Sequence, residues 1–359
     1  MVDLKYCTNC LFPETKPDLE FDENGICSAC VAYKQRAKID WDKREKEFKK
    51  IVKKYKTNDN YDCVIPVSGG KDSTYQALKA REYGLKPLCV NATTCDLSPI
   101  GRRNLDNIKN IGFDLIEYSP NSDVRKKLNA LGLKIVGDIS WPEHVGMFTI
   151  PVTIANKLNI KLVIWGENSQ NEYGGPWEKI NSKILDRRWL EEFGGLNGLR
   201  VIDLITNYGF KKKDILPYFY INKKSAKNIS GIFLGHFFKW EGETNARVAE
   251  KNGFEYFDKI VEGTCVKYEN LDNYQTGLHD YFKFLKYGFG RTTDLVSMQI
   301  RRGKISRNEG IKLVKKHEGF LPQTYLDKPL EEILGHIDMN LREFEKICDK
   351  FTNKNLFKT

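Results

Sequence analysis

The sequence predicts an α/β protein built on a doubly wound parallel sheet, and three observations carry that expectation. Apolar runs at 62–67, 87–93, 113–118, 161–166, 200–203 and 231–234 read as strands. Amphipathic stretches near 73–83, 101–111, 122–131 and 145–158 read as helices between them, with Gly84 and Gly112 as natural stops. Such alternation implies a sheet covered on both faces. The first strand also runs straight into Ser68-Gly69-Gly70-Lys71-Asp72-Ser73 and then a helix. That puts a glycine turn at a strand's carboxyl end, where ligands of these sheets gather.

The turn has the chemistry of an anion cradle. Glycines let the backbone approach an anion closely, and a helix N-terminus aims free N–H groups at it. Lys71 adds a point charge; Ser68 and Ser73 add hydroxyls. Asp72 is unwelcome beside phosphate unless a cation lies between them, which implies Mg²⁺. The spacing is not that of the G-x-x-x-x-G-K-[ST] loop.

Before the sheet, residues 1–35 form a separate pattern, Cys7-x2-Cys10 and Cys27-x2-Cys30. The spacing is that of a closed four-thiolate zinc site with a structural role, an iron–sulfur cluster being the rival ligand. Residues 36–60 read as a helical linker and 61–235 as the sheet domain. Beyond 236 strand signals give way to helical periodicity, with Leu278, Tyr281, Phe282 and Leu285 on one face. Ser306 and Glu309 match a capping box. Residues 236–359 are thus expected to be helical, ending in two short helices and a polar tail.

With 359 residues, 40% hydrophobic and 30% charged, the composition is that of a soluble globular protein. No window is apolar enough for a membrane span, and Met1–Tyr6 lacks a signal-peptide core. A cytoplasmic location is expected. The net charge of +10 admits nucleotides, acidic sugars and nucleic acid, although much of it lies on Lys-rich helix faces. Nine cysteines in such a chain argue against a disulfide framework.

Other candidates cluster at expected strand ends. Asn91 and Ala92 close the second strand. Trp165-Gly166-Glu167-Asn168-Ser169 closes the fourth, and Glu172 to Gly175 follow it. Glu167 and Asn168 are site candidates because a carboxylate and an amide there are well placed to meet ligand. Gly209 to Asp214 offers Lys211, Lys212 and Lys213 at a helix start. In the helical part, His279 is either a packed histidine or a site residue. Arg291 suits a carboxylate or phosphate, or a salt bridge to Asp294.

The hexapeptide resembles the pyrophosphate loop of the ATP pyrophosphatase (PP-loop) superfamily, which splits ATP into AMP and pyrophosphate. Further segments make the chain similar to the N-acetyl sugar amidotransferase family. These are Tyr6–Cys10 with Cys27–Cys30, Trp165–Ser169, Phe238-Lys239-Trp240, Gly290–Asp294 and Gly303–Gly310. The resemblance implies a PP-loop domain with an N-terminal Cys₄ zinc module. It implies ATP contacts at Ser68, Gly69, Gly70, Lys71, Asp72, Ser73, Asn91, Ala92 and Gly166. Lys71, Asp72 and Glu167 would be catalytic, with Asp72 on Mg²⁺; Asn168, His279, Arg291 and Asp294 would meet the substrate. A lysine at 211–213 would be a second phosphate contact.

The implied reaction converts an acetamido sugar to an acetamidino sugar through an O-adenylyl imidate, during surface polysaccharide, LPS or flagellar glycan synthesis. A glutaminase would need a Cys nucleophile with a base, and no Cys/His pair lies in a nucleophile turn. Ammonia is therefore expected from partner glutaminase and cyclase-like subunits. A tRNA-thiolating PP-loop enzyme is the alternative, with Cys95 and Cys265 as its only loose sulfur carriers. A non-catalytic nucleotide-binding or zinc scaffold is a third reading.

Overall fold

The computed structural model describes residues 4–168, 172–175 and 196–357. Its centre is a sheet of β1 Cys63–Pro66, β2 Pro87–Ala92, β3 Asp114–Tyr118, β4 Leu162–Trp165 and β5 Ser230–Phe233. The strands lie in the order β3-β2-β1-β4-β5, and every pairing is parallel. Side chains alternate across the sheet with the strand period of two. Cys63, Ile65, Cys89, Leu162 and Ile164 enter one core, while Val64, Leu88, Val90, Val163 and Phe233 enter the other. Burial on both faces explains why these strands read as continuous apolar runs.

Helices cover both faces. From the N-terminus they are α1 Ser28–Arg36, α2 Trp41–Tyr55, α3 Lys71–Glu82, α4 Pro99–Asn110, α5 Ser122–Val136 and α6 Trp141–Lys157. α2 contributes Phe48 and Val52 to the first core, α3 adds Ala77 and Ala80, and α4 adds Leu105 and Ile108. α6 supplies Ile150, Val152 and Ala155 to the second. The strand order reverses between β1 and β4, so their carboxyl ends flank a crevice. Val67 to Gly70 lie at one lip and Gly166 to Glu167 at the other, which is the geometry that makes a topological switch point a binding site.

One expected strand is absent. Residues 200–203 form the start of helix α7, Val201–Thr206. A four-residue apolar run does not distinguish strand from helix. Here Asp203 accepts a hydrogen bond from Arg200 N at 2.9 Å and pairs with its guanidinium, which fixes a helix start. Only Leu204 of this helix is buried.

After the short α8, Lys223–Ala226, and β5, the chain is helical as expected. α9 Gly242–Glu250 packs on α3. α10 Thr276–Tyr287, α11 Arg291–Arg301 and α12 Arg307–His317 follow. The capping box forms: Ser306 and Glu309 exchange bonds at the start of α12. A hairpin of β6 Thr324–Tyr325 and β7 Lys328–Pro329 leads to α13 Leu330–Gly335 and α14 Leu341–Phe351. Leu278 and Phe282 join Ile333, Leu334 and Phe344 in a core shared with Leu133 and Ile139. No helix among the described residues is long and apolar enough to cross a membrane.

Candidate functional site

The glycine turn is held by its neighbours rather than by itself. Gly69 has φ +85°, and a Cβ there would stand 2.6 Å from the backbone nitrogen of Leu105 in α4. Both facts demand glycine. Gly70 N donates to Ser68 Oγ at 3.3 Å, and Ser73 Oγ donates to Gly70 O at 3.0 Å. The helix α3 begins at Lys71, so its unpaired N–H groups open into a cleft of about 570 Å³. Ser68 to Ser73 line one wall; Asn104, Asp272 and Arg291 line the others.

Lys71 is almost fully enclosed, and its Nζ lies 2.6 Å from both Asp72 Oδ2 and Glu269 Oε1. Burial alone would lower its pKa, but these two carboxylates outweigh it and keep the ammonium charged. Asp72 is held in turn by Asn245 of α9, whose Nδ2 donates to Oδ1 at 2.7 Å. Glu269 is shared: its Oε2 is 2.6 Å from Arg291 Nη2. Arg291 Nη1 stands 3.3 Å from the hydroxyl of Tyr173. The array Asp72–Lys71–Glu269–Arg291 thus joins the start of α3 to the start of α11.

Glu167 completes the site from β4. It lines an adjoining cleft of about 550 Å³ with Lys71, Asp72, Trp240 and Tyr268. Burial, and then the charge of Asp72, push its pKa up to about 7. Glu167 and Asp72, two carboxylates beside an anion cradle, are a donor set suited to a hard divalent cation.

The other expected residues divide. Gly166 lies against Trp240, where a Cβ would be 3.1 Å from the indole. Asn91 uses its side chain to tie β2 to β1, its Nδ2 donating to Val67 O at 2.7 Å; Ala92 is beside it at the strand end. Asn168 is buried next to Glu167, and Ser169 lies outside the described residues. Asp294 is buried and paired with Lys283, 4.0 Å from Arg291, so the alternative of a structural ion pair is realised together with Arg291's place at the cleft. His279 is bonded to Asp138 at 2.8 Å and lines neither cleft. Lys211, Lys212 and Lys213 sit on an exposed turn and line neither cleft. Glu172 serves as a strut, paired with Arg36 of α1 and 3.3 Å from Arg302.

Sequence reasoning missed Glu269, Asn245 and Tyr268, and named Tyr173 only as part of the Glu172–Gly175 segment. Each reaches the loop from a segment without period or motif, so the only available signal was a carboxylate in the aromatic run around Tyr268.

Cys7, Cys10, Cys27 and Cys30 converge with all ligand atoms within 4.8 Å of one another. The Cys7–Cys30 and Cys10–Cys27 sulfur pairs are both 3.7 Å apart. Four sulfurs at about 2.3 Å from one ion stand about 3.8 Å apart in a tetrahedron, so the set fits a metal. Backbone N–H groups of Cys10 and Cys27 point at Cys7 Sγ, and Arg301 lies 3.9 Å from Cys10 Sγ. These donors suit thiolates.

One pH dependence follows. Burial raises the Glu269 carboxyl, but Lys71 and Arg291 outweigh it and hold it down at about 2, from an ordinary 4.5. In the unfolded chain it takes a proton first. Its contribution is therefore complete above about pH 5 and lost as pH falls through about 2, on the order of 3 kcal/mol. Denaturant titrations from pH 6 to 2 should show an acid limb that Glu269→Gln flattens; an unchanged limb would refute the pairing.

Among solved structures, the chain is similar to a predicted subunit of a tRNA methyltransferase from Methanocaldococcus jannaschii. The identity is 15%, with 65% of this chain and 91% of that chain covered, at a TM-score of 0.29. It is also similar to an NMN synthetase from Francisella tularensis, at 13% identity, 62% and 99% coverage and a TM-score of 0.29. No curated protein matches the chain. The segment that delivers Glu269 and Arg291 to the loop matches a family model: residues 262–359 are similar to the C-terminal domain of WbpG-like LPS biosynthesis proteins.

Proposed function

We propose that the chain is an ATP-dependent amidotransferase that adenylates the acetamido oxygen of an N-acetyl sugar and replaces it with ammonia. The products are an acetamidino sugar, AMP and pyrophosphate, and the setting is surface-glycan or LPS synthesis in the cytoplasm. The observation that carries this reading is the sharing of Glu269 between Lys71 and Arg291. It makes one site of the anion-binding loop and the segment similar to LPS biosynthesis proteins.

The residues suit the chemistry. Loop N–H groups, Ser68, Ser73 and Lys71 would hold the β,γ end of ATP and bear the charge that develops on leaving pyrophosphate. Asp72 and Glu167 would hold Mg²⁺, which supplies Lewis-acid stabilisation when bound. Asn91 and Ala92 would border the adenine, and Asn168 the reacting amide. The four cysteines would hold structural zinc. Ammonia would come from a glutaminase partner with a cyclase-like subunit.

The test is turnover with ATP, Mg²⁺, ammonium and a panel of acetamido sugars. AMP and pyrophosphate should form together with a product in which oxygen has been exchanged for NH. Production of ADP and orthophosphate would overturn the assignment. Turnover with glutamine and no partner would overturn the external ammonia supply.

The fold does bring one Cys/His pair together that the sequence pattern left apart: Cys95 Sγ is 3.1 Å from His336 Nε2. Burial, and then Glu143, push the Cys95 thiol up to about 12, and burial pushes Cys265 up to about 11. Sulfur transfer requires thiolate, so both are poor sulfur carriers. The Cys95→Ser, Cys265→Ser double variant is expected to retain amidination within about twofold, since neither thiol enters the reaction. Loss of turnover would favour the thiolating alternative.

A further inference from the structure

We propose that Asp138, His144 and His279 form a second cation site, for a divalent transition metal, distinct from the four cysteines and the loop. Asp138 lies in the turn between α5 and α6, His144 in the first turn of α6 and His279 in the first turn of α10. Asp138 is 1% exposed. Its Oδ2 is 2.9 Å from His144 Nδ1, and its Oδ1 is 2.8 Å from His279 Nδ1. The two rings meet edge to face with centroids 4.8 Å apart. One carboxylate and two imidazoles, drawn from separate elements, are the donor set of three-ligand transition-metal sites.

The spacing fits an ion. Donors about 2.1 Å from one ion stand about 3–3.4 Å apart; the two carboxylate–imidazole separations are close to this, and one donor atom of each residue lies within 4.8 Å of the others. In the ion-free protein each Nδ1–H donates to the carboxylate. Binding through Nδ1 requires that each imidazole carry its proton on Nε2 instead. Both side chains are partly exposed, at 24% and 30%, and no described residue bonds either Nε2. The relocated protons therefore meet water.

A separate observation, the local charge, also calls for a cation. Glu143, next to His144, keeps a buried Oε1 without a partner. Asp272 and Asp280 also act on His144. Against Asp138, Glu143, Asp272 and Asp280 stand Arg125, near Glu143, Lys286, near Asp138, and Arg291, near Asp280. Carboxylates thus outnumber permanent cations around the two imidazoles. Three protein donors also leave coordination positions open, unlike the closed cysteine set.

Cobalt distinguishes the two sites. Metal-free protein titrated with Co²⁺ should bind two equivalents, one with intense thiolate charge-transfer absorption and one with weak d–d bands alone. The His144→Ala, His279→Ala variant should lose the second and keep the thiolate band, which reports an intact fold. Proton NMR of the Co²⁺-loaded wild type should show two paramagnetically shifted, exchangeable imidazole N–H signals, a readout that needs no variant. Absence of these signals from the wild type, or their survival in the double variant, overturns the proposal.

Discussion

Replacing Cys27 by serine is expected to unfold residues 1–35 and to lower turnover with them. The four cysteines, with Phe12 and Ala29, form the module's small buried cluster, with Leu19, Phe21 and Ile26 packed against it. A core so small cannot hold 35 residues without a staple. Structural zinc in modules of this size contributes about 10–16 kcal/mol of folding free energy at neutral pH. The module is also keyed into the rest of the molecule. Leu11 N donates to Ser297 Oγ at 3.3 Å, and Arg307 Nε donates to Cys10 O at 3.3 Å. Gly174 packs so tightly on the module that a Cβ would stand 2.5 Å from Leu19. Ser297 belongs to the helix that starts at Arg291, and Gly174 follows Tyr173, so loss of the module should loosen the cleft. Limited proteolysis, metal content and activity of Cys27→Ser check this. A variant that keeps wild-type protease resistance and turnover would show that the cysteines hold nothing essential.

Lys71→Ala is expected to reduce pyrophosphate release by on the order of 10²–10³, the usual loss when a transition-state charge contact is removed. The sequence alone suggests little effect on the fold, but the structure changes that expectation. Lys71 is the buried counter-ion of Glu269, which is itself buried, and of Asp72, which is 32% exposed. Removing one partner of a buried ion pair costs about 3–5 kcal/mol, because the remaining charge is stranded. Arg291 still pairs Glu269, so the lower end of that range is expected. Lys71→Arg separates the two effects: it keeps the charge but misplaces the phosphate contact. It should recover much of the stability and little of the rate. Equal recovery of both would mean that Lys71 acts only as a structural counter-ion.

Much of the fold was legible because local rules were sufficient. The strands later found as β1, β2, β4 and β5 are apolar enough to be recognised singly, β3 is an edge strand with only Leu115 and Ile116 half-buried, and the capping box at Ser306 is a contact between residues three apart. The failure at 200–203 has the same root. A short apolar run carries no period, and α7 was decided by the Arg200–Asp203 cap and the burial of Leu204.

The candidate site was half legible. Ser68 to Ser73 announce themselves because a glycine turn is backbone geometry, which glycine encodes locally. The cysteine spacing does so because two close pairs are enough to bring four sulfurs together. The roles of Glu269, Asn245 and Tyr173 could not be read, since they consist of distances to residues tens or hundreds of positions away. Nor could the burial of Lys71, or the pairing of His144 and His279 on Asp138. Composition and spacing determine what a short segment is able to do alone. Which charges meet, and which are shut from water, is settled only when the sheet brings distant segments to its carboxyl edge, because electrostatic strength depends on separation and solvent exclusion, neither of which is local in sequence.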